Sequence, residues 1–129
     1  MIKLIKILFI VKFVVFLLFF QILNASEKIK IGLLIPMTGS NKEIGQSIIK
    51  AVSLAVKDID SNSIEIYPKD TASRPNQTLK SAFELKEMGI KVVIGPVFYK
   101  SLAYLDEMKD LSFLSLTNRN IDLPKNVIS

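Results

Sequence analysis

The 129-residue sequence contains no cysteine and no histidine. Without cysteine the chain forms no disulfide, offers no thiolate to a metal or a substrate, and has no site for a lipid on cysteine. Without histidine it lacks the side chain that most often serves as a general base or a metal ligand near neutral pH. The remaining side chains supply few catalytic groups. We therefore expect a binding protein that is not an enzyme, with no cofactor and no metal site.

The positive charge of the chain comes mainly from its N-terminus. The formal net charge is +5, and residues 1–25 contain Lys3, Lys6 and Lys12 but no acidic residue, so the remainder carries only +2. Lysines outnumber arginines 15 to 2, whereas arginine is the residue that binds phosphate through two parallel hydrogen bonds. No basic patch interleaved with aromatic residues follows residue 25. We expect no nucleic-acid partner.

The first 25 residues predict a secretory signal peptide. A lysine-containing start is followed by the apolar run "FVVFLLFF" and then by "NAS", with Ala25 as the last residue before cleavage. The alternative is an uncleaved anchor helix, because residues 4–23 approach the roughly 20 apolar residues that a membrane span needs. Lys12 in the middle of that window argues against a span. In both cases we expect residues 26–129 in the periplasm or outside the cell.

Residues 26–129 alternate between short apolar runs and amphipathic segments. Strands are predicted over residues 28–36, 63–70, 90–96 and 111–117, helices over residues 40–60, 74–89 and 99–110, and "NVIS" could begin a fifth strand. Pro68 lacks an amide hydrogen, which favours an edge position for the second strand. Because the connections are short, this order predicts an α/β fold, a parallel sheet with helices on both faces.

The predicted helices have recognisable ends and apolar sides. Ser40 and Glu43 form the S-x-x-E pattern of a capping box at the start of the first of them. Its predicted buried side consists of Ile44, Ile48, Ala51, Ala55 and Ile59. The next helix is expected to start at Pro75 and to stop at Gly89, with Leu79, Ala82, Phe83 and Met88 buried. The third would bury Leu102, Leu105 and Met108.

The loops that follow the strands predict a ligand site. In open parallel sheets, ligands bind at the carboxyl ends of the strands, and "PMTGSN", "GPVF" and "TNRN" follow three of these strands. They offer hydroxyl, amide and aromatic groups of the kind that surround small molecules. The predicted ligand contacts are Thr38, Gly39, Gly95, Pro96, Phe98, Thr117 and Asn118. The alternative is that the polar residues only form turns and caps and that Phe98 packs under a helix.

Other kinds of site are less well supported at the same loops. Gly39 before a helix could bind a phosphate, but the loop matches neither G-x-x-x-x-G-K-[ST] nor G-x-G-x-x-G. A serine hydrolase would need histidine and a G-x-S-x-G motif, and the chain has neither. Asp70 lies at a strand end, where we expect it to cap the loop or the following helix and not to bind a metal.

Three segments of the chain resemble a known family. They are "KIGLLIPMTGSNKEIGQSIIKAVSLAVKDI", "IYPKDTASRPNQTLKSAFELKEMGIKVVIGPVF" and "FLSLTN". A first strand ending in Pro-x-[ST]-Gly, a helix with "IGQ", a D-T-x-x-x-P loop and a strand closed by I-G-P are similar to the leucine-binding family of type I periplasmic binding proteins. The succession of "GPVF" and "LTNRN" resembles in particular the penicillin-binding protein activators.

The resemblance implies a two-lobed protein that closes on a ligand, of which residues 26–129 form a partial N-terminal lobe, incomplete at its C-terminus. It implies a non-enzymatic, extracytoplasmic solute-binding protein that presents a small ligand, such as an amino acid or an amide, to an ABC permease. The alternative that it implies is an activator-like regulator of peptidoglycan synthesis, with a peptidoglycan synthase as partner. One departure concerns Ser101: importers of the family carry a serine or threonine sooner after the Gly-Pro pair.

Overall fold

The computed structural model describes residues 1–22, 28–59, 62–102, 104–119 and 122–128. Within these ranges, one parallel sheet contains the strands β1 (Ile29–Ile35), β2 (Ile64–Asp70), β3 (Val92–Ile94), β4 (Ser112–Leu114) and β5 (Val127–Ile128). The α-helices are α1 (Ile2–Ile22), α2 (Lys42–Asp58) and α3 (Pro75–Glu87). The predicted α/β fold with a parallel sheet is confirmed, including the fifth strand.

The strand order is β2-β1-β3-β4-β5, which places β2 at an edge, as Pro68 predicted. The chain moves from β1 to β2 in one direction and from β2 back across β1 to β3 in the other. Right-handed crossovers therefore put α2 and α3 on opposite faces. The side chains of β1 agree with this: a Cβ built on Gly32 would lie 2.7 Å from Leu85 of α3, so Gly32 faces α3 and Leu33 faces away.

The hydrophobic core lies on the α3 side of the sheet. Its buried members come from β1, α3, β3, β4, β5 and the segments before β3 and β4: Leu34, Ala82, Leu85, Ile90, Val93, Leu102, Leu105, Met108, Leu111, Phe113 and Val127. The opposite face is less well covered beyond β1. There the side chain of Leu114 is 47% exposed and that of Ile128 is 66% exposed. The two faces of the sheet therefore differ in how much apolar surface they bury.

The start of α2 corrects one prediction. The helix begins at Lys42 after the N-cap residue Asn41, and no side chain caps it through a hydrogen bond. The capping box of Ser40 and Glu43 is therefore wrong. The reason is the preceding turn, in which Gly39 has a φ of +81° and the side-chain amide of Asn41 donates to Ser73 Oγ at 3.0 Å.

The buried side of α2 also differs from its prediction. Gly45 is buried, whereas Ile44, Ala51, Ala55 and Ile59 are exposed and Ile48 is half-buried. Gly45 lies against the carbonyl oxygen of Pro36, where any Cβ would overlap that atom. The closest approach of helix and strand is thus set by a glycine, which a pattern of apolar residues does not show. The line through Gly45, half-buried Ile49 and Val52 faces the sheet instead.

The third predicted helix, over residues 99–110, is wrong as an α-helix. Two 3₁₀ turns occupy this segment, at Tyr99–Leu102 and Leu105–Glu107. Leu102, Leu105 and Met108 are buried as expected. Their uniform spacing of three residues matches the three residues per turn of a 3₁₀-helix and drifts off one face of an α-helix.

Helix α3 begins at Pro75 and is followed by Gly89 with a φ of +76°, as predicted. Ala82 is buried and Leu79 is partly buried. The prediction is wrong for two other residues of its apolar side: Phe83 is 44% exposed and Met88 is 38% exposed. The buried positions beside Ala82 are taken by Leu85 and by two polar residues, Thr78 and Ser81. The hydroxyl groups of both donate to backbone carbonyls, which makes their burial favourable.

The N-terminal region forms α1, and the predicted cleavage site at Ala25 lies outside the described residues. In the part of the chain that the structure describes, no helix reaches the length and apolar character needed to cross a membrane.

The contact between Gly45 and Pro36 leads to a first prediction. Replacing a helical glycine by alanine normally stabilises a helix by about 1 kcal/mol, but Gly45→Ala places its methyl group on a backbone carbonyl. We expect the free energy of unfolding to fall by about 2 kcal/mol, measured by urea denaturation. The control Gln46→Ala, at the neighbouring exposed position, should change it by less than about 0.5 kcal/mol. A stabilised Gly45→Ala variant would contradict the packing of α2 described above.

Candidate functional site

Four loops meet at the carboxyl edge of the sheet. They follow β1 (residues 36–41), β2 (residues 71–74), β3 (residues 95–98) and β4 (residues 115–119). All four strands are parallel, so these loops share one edge by construction. Every residue that the sequence predicted as a ligand contact lies in this group of loops.

The carboxylate of Asp70 holds the first two loops together. Its Oδ1 accepts hydrogen bonds from the amides of Met37 at 2.8 Å, Thr38 at 3.3 Å and Ala72 at 2.8 Å. Its Oδ2 accepts the hydroxyl of Thr38 at 2.5 Å. Asp70 therefore caps the loop after β1, which confirms the loop-capping role expected from the sequence.

The same contacts determine the ionisation of Asp70. Partial burial is the largest single influence and opposes the charged form, but the hydrogen bonds from the Thr38 hydroxyl and from the amides of Ala72, Met37 and Thr38 together outweigh it. The net effect is that the pKa of the Asp70 carboxyl is lowered from its ordinary value. The group is an anion near neutral pH, and its charge is used inside the protein.

The loop after β2 is joined by further hydrogen bonds to β1, to Asp70 and to the loop after β1. Thr71 is buried, and its amide donates to the carbonyl of Ile35 at 2.9 Å. Ala72 and Ser73 then adopt left-handed backbone conformations, with φ of +45° and +56°. Residues other than glycine rarely occupy this region without a compensating contact. The amide of Ala72 bonded to Asp70, and the Ser73 hydroxyl bonded to Asn41, supply those contacts.

The third and fourth loops are joined by backbone hydrogen bonds. The amide of Gly95 donates to the carbonyl of Leu114 at 2.7 Å, and the amide of Leu116 donates to the carbonyl of Pro96 at 3.0 Å. Gly95 has a φ of +105°, and a Cβ there would overlap the carbonyl oxygen of Leu34. Only glycine fits this position, so the chain leaves β3 close beside β1.

The loop after β4 is organised by Thr117. Its hydroxyl donates to the carbonyl of Arg119 at 3.3 Å and accepts the amide of the same residue at 3.4 Å. The amide of Thr117 donates in turn to the hydroxyl of Ser115 at 3.2 Å. The guanidinium of Arg119 lies 4.8 Å from the centre of the Tyr99 ring. A cation over an aromatic face at this distance is attracted to it, which links the fourth loop to the 3₁₀ turn that follows the third loop.

The predicted contact residues differ in accessibility. Thr38, Gly39 and Asn118 are exposed, Phe98 and Thr117 are half-buried, and Gly95 and Pro96 are buried. Thr38 is tied to the second loop, whereas Gly95 and Pro96 are tied to the fourth. The two buried residues shape the edge through their backbone. Contact between these seven residues and a ligand stays a prediction.

Sequence reasoning missed the pairing of Tyr99 with Arg119. The signal in the sequence was weak, because the two residues are twenty positions apart and an arginine on a loop is usually only solvated. Ser101, whose position after the Gly-Pro pair departs from that of the importers' serine or threonine, is 1% exposed, and its Oγ has no hydrogen-bond partner among the described residues. Among the residues described, no group of three or more carboxylates could hold a metal ion.

The lowered pKa of Asp70 leads to a second prediction. A carboxyl whose pKa is lower in the folded state adds stability above its unfolded value of about 3.9, and this contribution is lost as the pH falls through the folded value. Asp70→Asn should therefore lower the free energy of unfolding by about 1–3 kcal/mol at pH 7. The difference from the wild type should shrink below about pH 4.

The measurement is urea denaturation of both proteins across this pH range. Asp106→Asn serves as the control because that aspartate is exposed. A deficit in Asp70→Asn that stays constant in acid would contradict a role for the charge.

Known proteins share the sequence pattern and the fold of this chain. A family model described as periplasmic binding protein matches residues 28–119. No curated protein matches the chain in sequence. A solute-binding protein of an ABC transporter from Rhodopseudomonas palustris BisB5, solved with 3,4-dihydroxybenzoic acid, is 24% identical with a TM-score of 0.65; the match covers 70% of this chain and 27% of that one.

Two further structures share the fold. The leucine-binding protein LivK from Thermotoga maritima is 16% identical with a TM-score of 0.64, over 70% of this chain and 28% of that one. Full-length LpoA from Haemophilus influenzae is 21% identical with a TM-score of 0.58, over 70% of this chain and 16% of that one. The matched part of the chain thus covers between 16% and 28% of the length of these relatives. Its sequence match and its type I fold show that it belongs to the periplasmic binding protein family.

Proposed function

We propose that the chain forms part of the first lobe of an extracytoplasmic solute-binding protein, which presents a small ligand to an ABC permease. The observation that carries this proposal is the edge of four loops. Asp70 ties the first two loops together, and the backbone bonds of Gly95 and Pro96 tie the other two. A binding surface held in place before the ligand arrives loses less entropy on binding. Such a protein performs no chemistry of its own and is not an enzyme.

The ligand that fits this edge is small and polar at one end. Thr38, Thr117 and Asn118 bring polar groups to these loops, and Phe98 brings an aromatic ring. We infer an amino-acid-like or amide-like compound. Relatives with the same fold support a ligand with a carboxylate, since they were solved with 3,4-dihydroxybenzoic acid, 4-hydroxybenzoate or benzoate, and another is a leucine-binding protein. Binding would stabilise a closed arrangement of two lobes, and the permease would recognise this closed form.

A second candidate is a regulator of peptidoglycan synthesis. It is supported by the structural match to LpoA, a penicillin-binding protein activator. In this case the partner would be a peptidoglycan synthase, and the loops would contact a protein surface and not a small molecule. The two candidates differ in what stabilises the chain, so one experiment separates them.

A ligand that binds only the folded state raises its stability by RT ln(1 + [L]/Kd), or about 2.7 kcal/mol at a hundredfold excess over Kd. We expect the unfolding temperature of the exported chain to rise with leucine, 4-hydroxybenzoate or benzoate, measured by differential scanning fluorimetry. Asn118→Ala should reduce the rise, whereas Lys109→Ala, exposed and located before β4 and outside these loops, should not. No rise with any of these compounds, together with binding to a purified peptidoglycan synthase, would favour the regulator.

We further propose that residues 1–25 are a cleaved signal peptide and that residues 26–129 act outside the cytoplasm. Expression of the full chain in a bacterium should then yield a protein whose N-terminal sequence starts at Ser26, because small residues such as Ala25 precede the cut. Ala25→Asp should block processing, and Lys28→Gln, beyond the cut, should leave it unchanged. Recovery of an intact Met1 terminus in the membrane fraction would instead support an uncleaved anchor.

A further inference from the structure

The hydroxyl groups at the carboxyl edge are already used inside the protein. Thr38 Oγ1 donates its one hydrogen to Asp70, and Thr117 Oγ1 donates its hydrogen to the carbonyl of Arg119. A hydroxyl has one hydrogen to donate and otherwise accepts. Both threonines therefore offer mainly lone pairs to a ligand. The donors for a negatively charged group must come from elsewhere on these loops.

The negative charge of Asp70, at the same edge, is also used by hydrogen bonds inside the protein. The Asp70 carboxylate accepts four hydrogen bonds from Met37, Thr38 and Ala72, and its pKa is lowered accordingly. It thus has little capacity left to receive a cationic group of a ligand. The chemistry that remains open at these loops is recognition of an anion.

Arg119 is the side chain suited to that task. The structure records no carboxylate within ion-pair distance of its guanidinium among the residues that it describes; the recorded ion pairs belong to Lys28, Lys69 and Lys86. Arg119 is exposed and lies two residues after Thr117 in the fourth loop. Its planar fork of N–H donors matches the two oxygens of a carboxylate.

The guanidinium is oriented before any ligand binds. Tyr99, whose ring lies under it at 4.8 Å, is half-buried and packs against the hydrophobic core. The Tyr99 ring is therefore held in a fixed position under the guanidinium. The hydrogen bonds of Thr117 to the backbone of Arg119 hold the other end of the residue. A cation stacked on a ring keeps the N–H groups at the rim of its plane free for a further partner.

We propose that Arg119, held over Tyr99, is a specificity-determining residue that binds the carboxylate of the ligand. The protein would then select organic acids over amides or alcohols of the same shape. This inference rests on the solute-binding function proposed above and narrows its ligand class. It assigns Arg119 the recognition of charge, and leaves Phe98 and Asn118 to contact the rest of the molecule.

The test compares two probes of the same shape, benzoate and benzamide, by NMR titration of the ¹⁵N-labelled exported chain, a method that also detects millimolar binding. The wild type should bind benzoate more tightly and shift the Arg119 Nε–Hε signal. Arg119→Gln should weaken benzoate binding about tenfold and leave benzamide binding unchanged. Arg119→Lys keeps the positive charge but loses the planar guanidinium. Its affinity for benzoate should lie between those of the wild type and Arg119→Gln.

The matched control is Lys100→Gln, which removes one positive charge from the exposed residue next to Tyr99. It should change benzoate affinity by no more than about twofold, since exposed charges interact weakly. Equal losses for both probes in Arg119→Gln would mean a structural role and would overturn the proposal. So would an equal effect of Lys100→Gln.

If the wild type binds both probes equally and Arg119→Gln changes neither, the inference fails while solute binding stands. If it binds no probe and no member of the ligand panel, both fail.

Discussion

The carboxylate of Asp70 is the contact on which the first two loops of the carboxyl edge depend. It lies at the end of β2, yet three of its four hydrogen bonds go to the loop after β1, more than thirty residues earlier in the chain. A neutral side chain could not accept from so many donors at once. The single charge therefore holds Met37 and Thr38, the two residues before Gly39 in the turn that leads to α2. The geometry of the loop after β1 thus depends on one side chain.

Glycines set the second constraint, and they explain part of the motif pattern. In "IGQ" the glycine is Gly45, which allows α2 to lie on the carbonyl of Pro36. In "IGP" it is Gly95, which allows β3 to end beside Leu34. Both glycines remove a Cβ where a backbone carbonyl lies within contact distance. The glycines of these two motifs thus mark places where two backbones approach closely. This close approach is a physical reason for the motifs through which the chain resembles the periplasmic binding proteins.

The sequence was a good guide to the sheet and a poorer guide to the sides of its helices. Apolar runs bounded by turn residues are local signals, so the parallel α/β order and the shared loop edge could be predicted. The buried side of α2 could not, because it depends on the contact between Gly45 and Pro36. Nor could the use of the Thr38 hydroxyl, which depends on Asp70 32 positions away. The 3₁₀ turns had a visible signal in the spacing of Leu102, Leu105 and Met108, which an α-helical reading ignored.

The unequal covering of the two sheet faces has a consequence for motion. Strand β1 is an interior strand between β2 and β3, and its last four residues are buried, whereas β4 and β5 each bury one face and expose Leu114 and Ile128 on the other. Opening the sheet from the β5 side exposes less new apolar surface than opening it at β1. Local fluctuations start where the least burial is lost, so amide hydrogens of β4 should exchange with solvent before those of β1. The loop after β4, which carries Arg119, is thus attached to the part of the sheet that opens more easily. The loop after β1, which Asp70 holds, is attached to the part that opens less easily.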